Sequence, residues 1–196
     1  QGVLPDPPAR LALLGTEGGG FSQIMGNFQW ERLSLALGAV GAGEDILATA
    51  IEYAKHREAF GQSIAKFQVT KHKLAELATD LECARQLTYH ALRLHAAGEW
   101  ALAQTAMAKK VATEMCCRLA DQSLQLNVGA GYMMEYDVLR RWRDARLGPI
   151  GGRTSEILNE IIALQSELLV GIADEQDKKQ KQKQLETLRA QLAKMQ

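Results

Sequence analysis

Apolar residues recur along most of the chain at three- and four-residue steps, the spacing of amphipathic helices rather than of strands. From Ser22, a residue type suited to cap a helix N-terminus, the positions Leu33, Leu37, Val40, Leu47 and Ile51 share a face and predict a long helix to about His56. Gly61 breaks the pattern inside "REAFGQSIAKFQ". A second helix carries Val69, Leu74, Leu77, Leu81, Leu87 and Leu94 and is expected to end at Gly98. A third, alanine-rich, is predicted from about Ala101 to Leu126, stopping at "NVGAGY", and no stretch with strand periodicity interrupts them. Helices with one apolar face and short connections pack antiparallel. The expected fold is therefore all-α, an up-and-down four-helix bundle with an additional C-terminal helical tail.

The two flanks read differently. Residues 1–20 contain Pro5, Pro7 and Pro8 and end in a glycine run, which predicts extended or looped chain. From Leu164 the chain turns glutamine- and lysine-rich, with Leu185, Leu188, Leu192 and Met195 at three- and four-residue steps. That stripe fits a short coiled-coil seam, and equally a solvated helix that lays one apolar edge back on the bundle.

Charge and composition narrow the chemistry. Lys plus Arg (23) equal Asp plus Glu (23), so the electrostatic case for binding nucleic acid or a membrane surface is missing. The sequence has no uninterrupted apolar run of about 18 to 20 residues and no basic-then-apolar leader, so no membrane span and a cytoplasmic or matrix-like setting are expected. Cys83, Cys116 and Cys117 lack metal-site spacing and are odd in number, and they are read as buried reduced thiols. His56, His72, His90 and His95 have no carboxylate or cysteine company at ligand spacing, so no metal is expected. Neither a G-x-S-x-G elbow nor a phosphate-binding G-x-x-x-x-G-K-[ST] loop occurs.

Three stretches carry candidate chemistry. Arg57 closes the first helix beside a glycine turn, where its planar fork suits a phosphate or carboxylate, and where a cation also suits the helix dipole. Gln125 precedes glycines that allow a flat ligand to approach, although helices commonly end in glycine. "GPIGGRTSE", residues 148–156, brings glycines, Arg153 and two hydroxyls to the start of a new helix.

Taken in order, "GGGF...WERL...REAFGQSIAKFQ...QLNVGAGY...RRWRDARLGPIGGRTSEI" resembles the C-terminal helical part of acyl-CoA dehydrogenases, flavoproteins that desaturate acyl-CoA thioesters. The match runs from about Gly15 to Ala163, and its most specific pieces are Arg57, Phe60, Gly61 and Gln68, and the run Arg143, Asp144, Ala145. The resemblance implies three segments: 1–21 as the remnant of a β domain and linker, 22–163 as the bundle, and 164–196 as a polar tail. It implies FAD as cofactor, acyl-CoA as substrate, a homo-oligomer (dimer or tetramer), and a partner supplying the family's N-terminal helical and middle β domains. Arg57, Phe60 and Gln68 match positions that hold the pyrophosphate and adenosine side of the flavin across the subunit interface. Gln125 and Gly129 match the "Q-x-x-G-G" contact, with Val128 in place of the first glycine, and Thr154 and Glu156 match further FAD contacts.

The same resemblance assigns the catalytic groups. Many family members read E-G-T where this chain has Gly152, Arg153 and Thr154, and their glutamate removes the α-proton while a hydride leaves the β-carbon for the flavin. A subset, including long-chain and isovaleryl types, instead carries the glutamate on the first long helix before an arginine, and "WERL" supplies Glu31 and Arg32 there. Glu31 is thus the expected base, since proton abstraction needs only a carboxylate held near the α-carbon. The amide of Gly152 is the expected donor to the thioester carbonyl. Arg32 and Arg153 are placed among the substrate-binding residues, and Glu135 matches no catalytic position. Arg153 stands where the family has glycine, and either closes the site or turns towards the phosphates of coenzyme A. A non-catalytic homologue that keeps the bundle as an oligomerisation or interaction module is the competing expectation, favoured by Arg153 and Val128.

Overall fold

The structure, a computed structural model, describes residues 17–99 and 101–170 and short helical pieces at 179–180, 182–183 and 186–187. Residues 1–16 and the leucine stripe from Leu185 to Met195 lie outside the described residues. The chain divides into two compact units, Glu31–Ser166, which is the bundle, and a smaller unit of residues 1–30 with 167–196.

Helix α1 spans Gly20–His56, so it begins two residues before the predicted cap at Ser22. Within the bundle unit its buried positions Leu33, Ala36, Val40, Leu47, Ala50 and Ala54 repeat at three, four and seven. Leu37 and Ile51 flank that stripe and are partly buried. At Gly43 an added Cβ would stand 3.1 Å from Leu81 Cδ1 and 3.2 Å from the Met115 side chain, so glycine lets α1 close on the two helices beneath it. By length and composition Asn27–His56 is apolar enough to cross a membrane. Its buried stripe is the face turned to the bundle core.

A tight hairpin follows, correcting the expectation that no strand would interrupt the helices. Strands β1 (Glu58–Ala59) and β2 (Gln62–Ser63) pair antiparallel around Phe60 and Gly61. Both loop residues have positive φ, +53° and +77°, as a two-residue hairpin with the right twist requires. Ser63 Oγ donates to the Ala54 carbonyl at 2.8 Å and pins the hairpin to the end of α1.

After a 3-10 turn at Ile64–Lys66, α2 (Gln68–Ala96) buries Leu77, Leu81, Ala84, Thr88 and Ala91. Val69, expected on that face, is exposed, because the buried stripe of the helix starts at its neighbour Thr70. Helix α3 (Leu102–Gly131) returns alongside with a mostly small buried face of Ala108, Ala112, Met115, Cys116, Leu119 and Ala120. It passes Leu126, where the sequence predicts its end, because only Val128 leaves helical geometry and the chain resumes to Gly131.

Helix α4 (Asp137–Ala145) buries Val138. Trp142 Nε1 donates to Asp121 at 3.2 Å, Cys117 Sγ donates to the Ala145 carbonyl at 3.1 Å, and Arg141 pairs with both Asp137 and Asp45. Helix α5 (Ser155–Val170) places Leu158 in the interior. The three thiols are free, but only Cys116 is buried; Cys117 is half-buried and Cys83 faces solvent, since position 83 lies off the apolar stripe of α2. Burial pushes the Cys116 thiol up to about 11, with Cys117 adding to the effect.

Candidate active site

The site is built where the segment between α4 and α5 crosses the early turns of α1 and α3. Gly148 lies so close to α3 that an added Cβ would stand 3.0 Å from Thr113 Cβ. Beyond it, Gly151 N–H donates to the Leu147 carbonyl at 2.8 Å, and the next two residues turn left-handed, Gly152 at φ +60° and Arg153 at φ +85°. An L-residue in that region is strained, so the chain keeps a glycine-type turn although position 153 carries a side chain.

Glu31 and Leu35, one helical turn apart on α1, face this turn. A Cβ built on Gly152 would lie 2.6 Å from Leu35 Cδ1 and 3.9 Å from Glu31 Oε1. The Glu31 carboxylate therefore borders the space into which a side chain at 152 would project.

Arg32, expected among the substrate-binding residues, points into the protein instead. It is 3% exposed, and its Nε donates to the Gly152 carbonyl at 3.4 Å. Burial holds its pKa below the ordinary arginine range, and the nearby Arg153 charge acts in the same direction, while Glu31 opposes. Arg153 is half-buried with its Nε shielded from solvent, and its charge is near enough to Arg32 to act on it. Thr154 and Glu156 stand exposed at the start of α5. The Glu156 carboxylate is held below its ordinary pKa first by its own backbone amide and then by the Thr154 hydroxyl, the arrangement of a helix N-terminus.

A buried lysine completes the cluster, and sequence reasoning missed it. Lys109, on α3, has 0% exposure, and its Nζ donates to the Arg153 carbonyl at 2.7 Å. Burial and the Arg32 charge lower its pKa, while Glu114 opposes. The signal was a lysine in core register, between Thr105 and Thr113 and next to Ala108, all buried.

The remaining predicted residues gather at the other end of α1. Arg57 follows the helix, Phe60 tips the hairpin at 97% exposure, and Gln68 opens α2. Helices α2 and α3 are 29 and 30 residues long, so the antiparallel return brings Gln125 and Gly129 back to the level of Gln68. Arg57, Gln68, Gln125 and Gly129 are exposed. Val128 is 73% exposed and adopts φ +50°, ψ −130°, again a glycine conformation. An exposed guanidinium, two amides and an exposed ring form a donor set suited to an anionic group and a flat base. Along α1, Glu31 and His56 are separated by about 38 Å at 1.5 Å per residue. The carboxylate cluster and this donor set are thus two separate patches of one chain. Among the described residues no group of histidine, cysteine and carboxylate side chains could hold a metal ion.

Comparison with known proteins gives the family of this fold. The family model for the acyl-CoA dehydrogenase C-terminal domain matches residues 18–166. The long-chain specific mitochondrial acyl-CoA dehydrogenase of Sus scrofa is 41% identical over 152 residues, covering 78% of this chain and 35% of that protein. The crystal structure of an acyl-CoA dehydrogenase from Geobacillus kaustophilus superposes with a TM-score of 0.77 at 39% identity, over 79% of this chain and 41% of that one. PigA, solved with FAD and proline, superposes with a TM-score of 0.68 at 30% identity, over 70% of this chain and 36% of that one. The chain thus spans well under half the length of these relatives. With a matching family model over most of its residues, the chain belongs to the acyl-CoA dehydrogenase family.

Proposed function

We propose that this chain supplies the C-terminal bundle of an FAD-dependent enzyme that desaturates an acyl-CoA thioester between its α- and β-carbons. The observation that carries the reading is the approach of Glu31 Oε1 to within 3.9 Å of the Cβ position on Gly152. Glu31 takes the α-proton, and the Gly152 amide donates to the thioester carbonyl. Such a donor stabilises the charge that develops as the proton leaves and is worth about 3 kcal/mol. Arg32 supports the turn from within.

FAD, when bound, supplies the acceptor for the hydride leaving the β-carbon. The exposed donors at the far end of α1 fit such a group: Arg57 for the pyrophosphate, Phe60 with Gln68 for the adenosine side, and Gln125 with Gly129 alongside. Thr154 and Glu156 serve the cofactor at the catalytic end. Because the two patches lie at opposite ends of α1, a shared flavin draws them from two copies, which supports a homo-oligomer. The β domain and the second helical domain of the family are supplied from outside residues 1–196.

The test uses an assembly with those domains and FAD. Glu31→Gln should abolish exchange of the α-proton of bound acyl-CoA while the flavin spectrum persists, and Glu135→Gln should leave exchange intact. Reversed effects would reject the base. Failure of the wild-type chain to exchange the proton under any loading would favour the interaction-module reading, to which the strained Arg153 points.

A further inference from the structure

We propose that Lys109 is a positioning residue, which holds the Arg153 carbonyl and thereby fixes the direction in which the amides of the 151–154 turn face. The turn is tied at three peptides: Gly151 N–H to Leu147, the Gly152 carbonyl to Arg32 Nε, and the Arg153 carbonyl to Lys109 Nζ. In a planar trans peptide the C=O and the following N–H point in opposite directions. Drawing the carbonyls of residues 152 and 153 towards α1 and α3 therefore turns the amides of Arg153 and Thr154 the other way. Gly152 N–H, in the 151–152 peptide, lies between the first two ties, which narrow the directions open to it. These ties oppose the strain of two consecutive left-handed residues, one of them arginine.

The identity of the side chain argues for a task at the turn. A fully buried ammonium costs desolvation that its attraction to one carbonyl does not return, and a methionine of similar length would fill the same space without that cost. Global stability is consequently the wrong readout for Lys109, and local order at the turn is the right one. The link from turn geometry to catalysis rests on the acyl-CoA reading above, whereas the link from Lys109 to the turn does not.

The experiment is amide hydrogen exchange on the 196-residue chain, followed by kinetics in the FAD-loaded assembly. Lys109→Met should speed exchange at Gly151, whose N–H is hydrogen-bonded to Leu147 within the turn, by about tenfold or more while Leu119 and Ala120 keep their wild-type protection. Lys109→Arg, which retains a donor, should restore much of that protection. Lys109→Gln, one atom short of the carbonyl, gives the same reading as methionine where the methionine variant does not fold. In the assembly, Lys109→Met should lower kcat by about tenfold with KM nearly unchanged, the pattern of a misaimed transition-state donor. Unchanged exchange at the turn, or an acceleration shared equally by the α3 core, would overturn the proposal. Faster exchange at the turn in a chain that never processes acyl-CoA would keep the positioning role and reject the acyl-CoA reading instead.

Discussion

Glu31 Oε1 and the Cβ position of Gly152 are 3.9 Å apart, with Leu35 Cδ1 only 2.6 Å from that same position. A carboxylate delivered by α1 and a side chain delivered by the turn would therefore compete for one volume. Gly152 also sits at φ +60°. Gly152→Ala is expected to destabilise the chain by about 1 to 3 kcal/mol through backbone strain and contact with Leu35. In a Leu35→Ala background the penalty should shrink by about 0.5 kcal/mol or more, because the two side chains share space. Urea unfolding of both singles and the double closes the cycle, and strictly additive effects would count against the shared volume.

Val128 offers a test of stored backbone strain away from the catalytic cluster. Its φ +50°, ψ −130° suits glycine, and at 73% exposure it has little buried surface to lose. Val128→Gly removes strain of about 1 to 3 kcal/mol and adds about 0.5 to 1 kcal/mol of unfolded-state entropy, so a net gain of about 1 kcal/mol is expected. The control is Ala78→Gly, at an exposed position within α2, which should lose about 1 kcal/mol. Opposite signs for two changes to glycine, read as urea midpoints, are the expected result.

Much of this arrangement could be read from the sequence, and the gaps have physical causes. The long helices were legible because Leu33, Val40, Leu77 and Leu81 recur with helical period and all are buried. Helix α4 was not singled out, since its short span is dominated by Asp137, Arg140, Arg141, Arg143 and Asp144, with a single buried residue. The hairpin was hidden because two-residue strands carry no periodicity, and Phe60 gives no hint of positive φ. Glu31 and Gly152 were matched by resemblance, yet their proximity needed the fold, being 121 residues apart in the chain. Lys109 escaped because a lysine in an alanine-rich helix is ordinarily a solvated one, and only the crossing of the 151–154 turn over α3 gives it a partner indoors.

Lys109 should also leave a mark on the pH dependence of stability. Its folded pKa lies below the ordinary 10.5, first through burial and then through the Arg32 charge, against the opposing Glu114 carboxylate. Between the folded pKa and 10.5 the unfolded chain binds more protons than the native one at this site, so stability rises with pH across that window. Below the window both states are protonated and the contribution is flat. The Cys116 thiol, raised from 9.0 to about 11, acts in the opposite sense at the alkaline end. The difference in unfolding free energy between wild type and Lys109→Met cancels that thiol, and it should climb as pH approaches 10.5. A difference independent of pH throughout would show that Lys109 titrates as it does in the unfolded chain.

Arg153 is the residue that most sharply tests the acyl-CoA reading. It holds φ +85° without being glycine, its Nε is shielded from solvent, and its guanidinium lies close enough to lower the pKa of buried Arg32. An arginine turned inwards at this point would occupy ground next to the Gly152 amide, which must come within about 3 Å of a carbonyl oxygen to donate to it. Arg153→Gly relieves the backbone and opens that ground while the main-chain carbonyl stays available to Lys109. In an assembly completed with the missing domains and FAD, the change is expected to raise turnover by about tenfold or more, each factor of ten being about 1.4 kcal/mol of barrier. Acyl-CoA affinity should hold or improve. A guanidinium directed outwards to the phosphates of coenzyme A predicts the reverse, with weakened binding and a maximal rate left nearly untouched. Turnover and affinity measured on this one variant separate the two arrangements. Absence of turnover with either residue, in an assembly shown to hold flavin, would leave the bundle as an interaction module.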